Sequence, residues 1–494
     1  MNKDKTLKAI IFILLTLLVG IFIIKVCPVL LQNDTLYDIK LGHRYLSTGM
    51  FAIDDYSFHV GLVYQTHHYL VCIIDYLVYD LFSLEGLYYL EVLLLSIVAL
   101  LFYFLNKTLL KNKFLIYVLL FFQLIALSPF VSLRAQMYNY IIFMLEIFVI
   151  EKYLNTSKKQ YAVILGLLPL VLINLHSGVI YFYFIIIFTY LMNFFKIKIM
   201  RIINDERSTR EHLKILVLCT VVGGFLTLLN PYGIDGITYG LKTLNSYYIS
   251  NYITEFQSFN ILTPLGILIA LYIGMCIVGM VFSKRKIKIQ EIILLLGTTF
   301  MTLLSTRHFS LFIITSVVIF PHIEDAYKRI DASNWSLFNS LKKGLNPMNI
   351  IVISFYIVMV CYFLLNIIVR DNSQLPKDKY PIDATDYIRQ NIPADAHIFN
   401  QYEWGSYLMF NNIKTYIDPR CDLFNKEYNH GTTVMKDYID IMDNNKEYQY
   451  VITKYNIDYF LLSKTTTLAK KIVSDAKYEI VYSDNISIII KVSK

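Results

Sequence analysis

The sequence has little charge for its length. Of its 494 residues, 17% are charged and 56% are hydrophobic, and the mean hydropathy is +0.51. Soluble domains carry about a quarter charged residues, so this composition excludes an ordinary soluble protein. Several apolar runs reach the roughly 20 residues that are needed to cross a bilayer. The composition therefore predicts a polytopic membrane protein.

The sequence also lacks the residue spacings that are typical of metal and redox sites. Its six cysteines are scattered, and neither C-x-x-C nor H-E-x-x-H occurs. His67 and His68 are adjacent in sequence, and adjacent imidazoles tend to point apart rather than bind one metal. No repeat and no low-complexity tract is present. We therefore predict no structural metal site and no certain cofactor.

A basic patch of the size of a nucleic-acid groove is absent as well, although the net charge is +8. The Lys and Arg residues fall instead in short loops between apolar segments, which is the positive-inside pattern. The pattern predicts an N-terminus inside and a C-terminus outside. The first apolar run is too long for a signal peptide and lacks a small-x-small cleavage site, so we expect an uncleaved first span.

The hydropathy pattern predicts about 11 spans. Residues 69–82 are apolar but carry Asp75 and Asp80, so we expect an interfacial helix there. The predicted organisation is a membrane domain over residues 1–369, with a first outer loop over 32–85, and an extracytoplasmic domain over 370–494. The predicted spans cover residues 9–31, 86–105, 114–131, 137–150, 161–173, 179–195, 215–229, 264–282, 290–304, 309–321 and 349–368.

The C-terminal segment has a different pattern. Strand-like runs (HIFN, TYIDP, DYFLLS, YEIVYS and ISIIIKVS) alternate with helical runs (ATDYIRQN, TVMKDYIDIM and TLAKKIVSD). This alternation predicts a small α/β domain. The fold class is therefore an α-helical polytopic membrane protein with a small C-terminal α/β domain.

Polar residues collect at the outer ends of the odd-numbered predicted spans. Span ends meet water and tolerate polar residues, which could explain any single pair. This tolerance does not explain the whole set, because the inner span ends carry mostly lysines. We predict one outward-facing site that binds substrate. Its members from these span ends are Arg134, Gln136, Asn174, His176, Asn230, Tyr232, Arg307 and His308. The guanidinium of Arg134 or Arg307 could hold a phosphate, or either side chain could simply reach to the interface.

The first outer loop is the densest run of ionisable residues in the first third of the chain. Asp34 directly follows the first span and could accept a proton from an attacking hydroxyl. With Asp38 it could ligate a divalent cation, because the i, i+4 spacing places both on one face of a helix. A solvated carboxylate or a helix cap is the alternative. The further predicted binding residues of this loop are Arg44, Asp54, His67 and His68.

Two polar and aromatic clusters stand at predicted strand ends of the C-terminal segment. One contains Glu403 and Trp404, and the other contains Asp418 and Arg420. Aromatic faces beside carboxylates suit sugar rings, so we predict a part in substrate binding. A structural role, with Asp418 paired to Arg420 and Trp404 in the core, is the alternative.

The order of these motifs resembles that of bacterial polytopic proteins related to the C-type (GT-C) membrane glycosyltransferases. That class includes protein mannosyltransferases and lipid A aminoarabinose transferase. The resemblance spans nearly the whole chain, in a subgroup that is largely uncharacterised. It is carried by Asp34, Gly42, Gly49, Asp54, Tyr56, Ser57, His68, Tyr69, Leu70, the R-x-Q of Arg134 and Gln136, the N-x-H of Asn174 and His176, NPYG at 230–233, Glu255, Tyr402, Trp404, Gly405, Asp418, Arg420 and Asp422. The chain departs from the pattern at Asp38, where relatives often carry His or Thr, and it lacks an Asp-Glu pair after the first span.

The resemblance implies a glycosyltransferase in the bacterial cytoplasmic membrane. It implies Asp34 as the catalytic residue, Glu255 as a further binding residue and a polyprenyl-phosphate sugar as the donor. The expected partners are that lipid, the bilayer and a glycan, lipid or protein acceptor in the cell envelope, with no nucleic acid. Two alternatives stay open: a flippase or transporter for a lipid-linked glycan, and a polysaccharide polymerase or ligase. Transport would place ionisable residues at mid-membrane depth, and Glu146 is the main residue of that kind.

Overall fold

A computed structural model describes residues 16–27, 33–50, 53–244, 257–332, 375–475 and 477–492. Most of these residues are helical. The helices of the first part are α1 (Thr16–Val26), α2 (Asn33–Ser47), α3 (Tyr69–Leu109), α4 (Lys113–Leu127), α5 (Ala135–Thr156), α6 (Lys159–Leu175), α7 (Ile180–Leu191), α8 (Arg210–Leu226), α9 (Ile234–Leu244), α10 (Pro264–Phe282), α11 (Ile289–Leu304), α12 (Phe309–Thr315) and α13 (Phe320–Ala332).

Within the described residues, five segments are long and apolar enough to cross a membrane: Tyr69–Leu109, Lys113–Phe130, Ser177–Phe194, Pro264–Phe282 and Thr306–Arg329. Shorter apolar helices are Thr16–Val26, Lys159–Leu175 and Ile289–Leu304. The predicted spans over 86–105, 114–131, 179–195, 264–282 and 309–321 each overlap one of these five segments. Helices α2 and α9 form where no span is predicted, and the total of about 11 spans stays a prediction. The last predicted span, residues 349–368, lies outside the described residues.

Helix α3 joins two predicted segments, the interfacial helix over 69–82 and the span over 86–105. It runs for 41 residues, and its backbone leaves helical geometry at Ser83, with φ 57° and ψ −156°. The kink therefore falls between the two predicted segments. Its first half packs closely against α2, because an ideal Cβ built on Gly42 would lie 2.0 Å from the carbonyl oxygen of Cys72.

A small three-stranded sheet joins two loops that the charge pattern assigns to the inner side. Its strands are β1 (Lys198–Ile199), β2 (Ile202–Ile203) and β3 (Ile287–Lys288), and β2 pairs antiparallel to β1 and parallel to β3. Beside it, Arg207 bridges the buried carboxylates of Glu151 and Asp205 at 2.7 and 2.6 Å. Such short strands in polar loops are not indicated by the sequence pattern.

The C-terminal segment is an α/β unit. Its sheet has the order β4-β5-β7-β6, with β4 (Ile398–Asn400), β5 (Tyr459–Ser463), β6 (Glu479–Ser483) and β7 (Ser487–Lys491). Within this sheet the β4–β5 pair is parallel, and the β5–β7 and β6–β7 pairs are antiparallel. The helices are α14 (Ile382–Asn391), α15 (Gly405–Phe410), α16 (Val434–Met442), α17 (Gln449–Tyr455) and α18 (Thr467–Val473).

One strand prediction in this unit is wrong. Residues 415–419, the TYIDP run, form no strand of the sheet, because the side chain of Asn400 takes over their backbone hydrogen bonds. Its Oδ1 accepts from the Tyr416 N–H at 2.8 Å, and its Nδ2 donates to the Ile417 carbonyl at 2.8 Å. Thr415 instead forms an isolated bridge to Ser57 of the first loop.

The first loop and the C-terminal unit share one hydrophobic cluster. Tyr37, Leu41, Leu62 and Tyr64 belong to the same buried cluster as Phe399, Tyr416, Phe424 and Phe460. The loop therefore packs on the α/β unit as well as on α3. This joint packing brings residues that are far apart in sequence to one cavity.

Candidate active site

The candidate site is a cavity of about 660 Å³. The first loop, α5, α7, α9, the 306–311 turn and the 419–422 segment all contribute to its wall. The apolar residues of the lining include Phe130, Phe143, Val179, Phe182, Ile185, Met301, Leu311 and Ile314. The polar residues of the lining include Asp34, Asp38, His67, His68, Arg134, Gln136, Asn139, His176, Tyr239, Arg307, Arg420 and Asp422.

Asp34 and Asp38 both face the cavity from α2. Asp34 lies in the first turn, where a carboxylate interacts favourably with the helix dipole. The predicted i, i+4 relation therefore holds, since both residues lie on one face of a helix. Thr35 Oγ1 donates to the Leu133 carbonyl at 2.9 Å. This bond fixes α2 beside the start of α5.

Arg134 and Arg307 are two of the three arginines that line the cavity. Arg134 Nε lies 2.6 Å from Asp34 Oδ2, and both side chains are 22% exposed. Arg307 lies at the start of the Thr306–Arg329 segment. With the Gln136 amide oxygen turned toward it, Gln136 accepts from Arg307 Nη2 and Nε at 3.2 Å each. Both guanidinium groups are thereby oriented by a neighbour that also lines the cavity.

Three imidazoles lie next to one another on the wall. The ring of His67 lies 4.3 Å from that of His68 and 5.1 Å from that of His176. His67 also stacks on Tyr239 at 4.5 Å, and His176 Nδ1 lies 2.7 Å from Asn139 Nδ2. These contacts hold the three rings at fixed positions.

The three imidazoles differ in basicity. Burial, followed by the positive charge of neighbouring histidines and of Arg307 and Arg134, holds the pKa of His67 well below its usual value. The pKa of His176 is lowered for the same reasons, with burial first. Burial also acts to lower the pKa of His68, but the Asp38 carboxylate outweighs it, and the net shift is upward. His68 is therefore the most basic of the three.

Asp38 is the centre of a buried hydrogen-bonded triad. Its Oδ1 lies 2.8 Å from His68 Nε2 and accepts from Cys72 Sγ at 3.1 Å. Asp38, His68 and Cys72 are at most 3% exposed, and their potential ligand atoms lie within 4.8 Å of one another. Hydrogen bonds account for this closeness. The hypothesis of a divalent cation held by Asp34 and Asp38 stays a prediction.

The C-terminal unit reaches the cavity through a buried ion network. Arg420 Nη1 lies 2.6 Å from Asp54 of the first loop, and its Nη2 lies 2.7 Å from Asp418. Burial alone would raise the pKa of Asp54, but Arg420 and the Ser57 hydrogen bonds outweigh it and lower that pKa. Arg420 is therefore held between two carboxylates, and the loop is fixed to the C-terminal unit.

Asp422 lies two residues further along, on the cavity wall. It accepts a short hydrogen bond from the Tyr239 hydroxyl, and its Oδ2 lies 3.8 Å from His67 Nδ1. Burial raises the pKa of Asp422, although the Tyr239 bond opposes this shift. The carboxyl group is thus positioned by α9 and the first loop together.

The structure brings together most, but not all, of the residues that the sequence predicts for the site. Those that line the cavity are Asp34, Asp38, His67, His68, Arg134, Gln136, His176, Arg307, His308 and Arg420. Glu255 lies outside the described residues. The predicted residues that do not line this cavity are Arg44, Asp54, Asn174, Asn230, Tyr232, Glu403, Trp404 and Asp418.

Two of these residues, Asn174 and Asn230, form hydrogen bonds at helix ends. Asn230 bonds within its own NPYG turn, donating to the carbonyls of Thr227 and Gly233 at 2.8 and 2.9 Å. Asn174 accepts from the Tyr69 hydroxyl at 2.7 Å and donates to the Leu229 carbonyl at 3.0 Å. Asn174 thereby joins the start of α3 and the end of α6 to the segment that follows α8.

The remaining residues of this group have other local contacts. The Tyr232 hydroxyl accepts from the Thr66 N–H at 3.2 Å, and Arg44 pairs with the exposed Asp55 at 2.8 Å. Trp404 donates to the Lys379 carbonyl at 3.1 Å and packs in the core of the α/β unit. Glu403 is exposed.

Several cavity residues were not predicted. Asp422 is the last residue of the D-x-R-x-D motif that Asp418 begins. The sequence pattern does not show which of these two aspartates faces the cavity. Asn139 follows Gln136 by three residues, and this helical spacing could have indicated it. Tyr239 lies in a polar outer loop with no motif, so only the packing of α9 reveals it.

Comparisons with known proteins give one informative result. No family model matches the chain, and no curated protein matches it. Among solved structures, the chain is similar to the apo form of the oligosaccharyltransferase from Archaeoglobus fulgidus, with a TM-score of 0.59 and 12% identity. The alignment covers 92% of this chain and 69% of that chain.

The likeness shows a shared fold. At this identity the fold is what the two chains have in common, and fold alone does not determine function. Together with the apolar helices, this fold supports a multi-pass membrane protein.

Proposed function

We propose that the chain transfers a sugar from a polyprenyl-phosphate donor to a cell-envelope acceptor at the outer face of a bacterial cytoplasmic membrane. The observation that carries this proposal is the composition of the cavity wall. The guanidinium groups of Arg134 and Arg307 line the same cavity as a set of aromatic and aliphatic side chains. A lipid phosphate has the matching chemistry, an anionic head and an apolar tail.

The roles of the two arginines follow from their chemistry. A guanidinium offers a planar fork of donors that suits phosphate oxygens, and it keeps its charge when it is buried. In the proposed function Arg134 and Arg307 hold the donor phosphate. They stabilise the negative charge that develops as the phosphate leaves.

Asp34 enters the proposal as a catalytic residue. Its carboxylate lies 2.6 Å from Arg134 Nε, next to the proposed phosphate position. The oligosaccharyltransferase likeness supports a transferase of lipid-linked sugars but not a particular sugar or acceptor. The outer-face orientation is supported by the Lys and Arg distribution of the predicted loops.

The test uses the purified full chain in detergent with a panel of radiolabelled polyprenyl-phosphate hexoses and pentoses. A detergent extract of cell envelopes supplies the acceptor. We expect one donor to lose its sugar with wild type, and Asp34→Asn to lower this turnover strongly at a donor concentration below KM. Asp55→Asn, whose side chain is 70% exposed, is the matched control and should retain activity. Equal turnover in wild type and Asp34→Asn would remove Asp34 from the catalytic residues.

Transport of a lipid-linked glycan is the second candidate, and one observation favours it. Glu146 in α5 and Glu91 in α3 are at most 1% exposed, and each has a carboxylate oxygen without a hydrogen-bond partner. Ionisable residues inside spans often mark substrate or proton paths. Saturable binding of a donor with no consumption of any donor in the panel would favour transport over transfer. The same panel can be run with an acceptor glycan, and the length of the product is then measured. A product longer than the acceptor by more than one sugar would indicate a polymerase or ligase instead of a single-sugar transferase.

A further inference from the structure

The proposed transfer needs a group that accepts the proton of the attacking hydroxyl. Asp34, the candidate that the sequence suggests, is engaged by Arg134 at 2.6 Å. A carboxylate that binds a guanidinium is a weaker proton acceptor than a free one, because the positive charge favours its ionised form. Another residue of the cavity could therefore be the better proton acceptor.

His68 has a different environment from Asp34. Its Nε2 lies 2.8 Å from Asp38 Oδ1, and Asp38 is 1% exposed. A carboxylate accepts the hydrogen bond, so this contact assigns the proton to Nε2 and leaves a lone pair on Nδ1. Nδ1 is buried and has no hydrogen-bond partner. His68 itself is 3% exposed and lines the cavity.

An acceptor atom that is buried without a partner carries a desolvation cost. A ligand hydroxyl that donates to it would remove that cost. The arrangement of carboxylate, imidazole and free ring nitrogen is the one that turns a histidine into a general base. Here the carboxylate is supplied by α2 and the imidazole by the residue that precedes α3.

We propose that His68, oriented by Asp38, accepts the proton of the acceptor hydroxyl, and that Asp34 instead fixes Arg134 at the donor phosphate. This inference rests on the proposed glycosyl transfer. The hydroxyl oxygen forms a bond to the anomeric carbon while the bond from that carbon to the phosphate oxygen breaks. The electron pair leaves with the phosphate, and the proton moves to His68 Nδ1.

Charged groups on every side of His68 bear on its proton affinity. The carboxylates of Asp38, Asp34 and Asp422 favour the protonated ring. The neighbouring rings of His67 and His176 lie at 4.3 and 6.3 Å and disfavour it when they are charged. Both of these rings have lowered pKa values, so they stay neutral near pH 7. The carboxylates therefore dominate.

The test measures kcat and donor KM against pH for the donor that gives turnover in the panel. We expect His68→Gln to lower kcat by about 10²–10⁴-fold, with donor KM changed less than about 3-fold. Asp38→Asn should lower kcat and move the acidic limb of the profile to lower pH, because the carboxylate that raises the pKa of His68 is lost. Asp34→Asn should raise donor KM and leave that limb in place.

Two further variants keep the test decisive. His43→Gln carries the same substitution at an exposed residue of α2 that does not line the cavity, and it should behave as wild type. His68→Ala should regain turnover when free imidazole is added, a result that a purely structural role would not give. If His68→Gln does not fold, the shift of the acidic limb in Asp38→Asn decides.

Three results would overturn the inference. These are unchanged kcat in His68→Gln, an acidic limb that moves in Asp34→Asn but not in Asp38→Asn, and turnover that EDTA abolishes and Zn²⁺ or Mn²⁺ restores. Each of them leaves the transferase intact. Absence of turnover of any donor by wild type would instead contradict the proposed function itself.

Discussion

At the scale of single side chains, the polar residues that line the cavity differ in how well the sequence predicts them. Arg134, His176 and Arg307 were predicted because each stands where an apolar segment ends, and the structure brings them together. Asn174 and Asn230 have the same sequence environment, yet their amides bind local backbone groups. A one-dimensional pattern does not distinguish an amide that faces a cavity from one that closes a turn.

The phosphate role of the arginines gives a prediction at this scale. Arg307→Lys keeps the charge but loses the planar fork. Charge-assisted hydrogen bonds contribute about 1.5–3 kcal/mol, so donor KM should rise roughly 10–100-fold with a smaller effect on binding of an uncharged polyprenol. Arg329→Lys, at the far end of the same apolar segment, is the control and should leave KM unchanged. An unchanged KM in Arg307→Lys would argue against a phosphate contact.

At the scale of elements, the crossing of α2 and α3 positions the catalytic groups. Asp34 and Asp38 come from α2, while His67 and His68 directly precede α3. Gly42 is one of the residues that carry the family resemblance, and the structure gives a physical reason for a glycine there. An ideal Cβ there would lie 2.0 Å from the Cys72 carbonyl oxygen and 2.6 Å from Tyr76 Cβ. The close approach needs a residue without a side chain.

Gly42→Ala is therefore expected to separate the two helices. Overpacking of this kind typically costs about 1–3 kcal/mol, and the shift should also disturb the bond between Asp38 and His68. Thermal unfolding in detergent should show a lower Tm together with reduced turnover. Gly297→Ala in α11, where a Cβ would meet nothing within 4 Å, should keep or raise the Tm. Equal Tm values for Gly42→Ala and wild type would contradict the packing argument.

At the scale of the whole molecule, the first loop and the C-terminal unit act as one body over the cavity. The pattern of the C-terminal segment predicts an α/β unit, and its strands and helices are largely where the sequence places them. Its docking was not predictable, because contacts such as that of Asp54 with Arg420 join residues 366 apart in sequence. Only folding brings such residues together.

This docking should depend on pH through His59. The ring lies against Tyr416, Phe424 and Tyr455, and burial lowers its pKa to about 4. In the unfolded chain this histidine has a pKa near 6.5 and is protonated more readily than in the folded chain. The folded state therefore has its full stability, as far as His59 is concerned, above pH 6.5. As the pH falls from 6.5 toward 4, the free energy of unfolding decreases by up to about 1.4 kcal/mol per pH unit.

The dependence can be measured as Tm against pH between 7 and 4. His59→Gln should flatten the fall in Tm over this window, whereas His430→Gln, at an exposed residue, should not. A fall of equal steepness in wild type and His59→Gln would show that another group controls docking.

The central claim is that the cavity consumes a lipid-phosphate sugar. The most direct measurement is release of free polyprenyl phosphate from a radiolabelled polyprenyl-phosphate sugar by the purified full chain, with the cell-envelope extract as acceptor. The account predicts release with at least one sugar by wild type, and much less release by Asp34→Asn at a donor concentration below KM. Saturable binding of these donors without release of polyprenyl phosphate from any of them would contradict it.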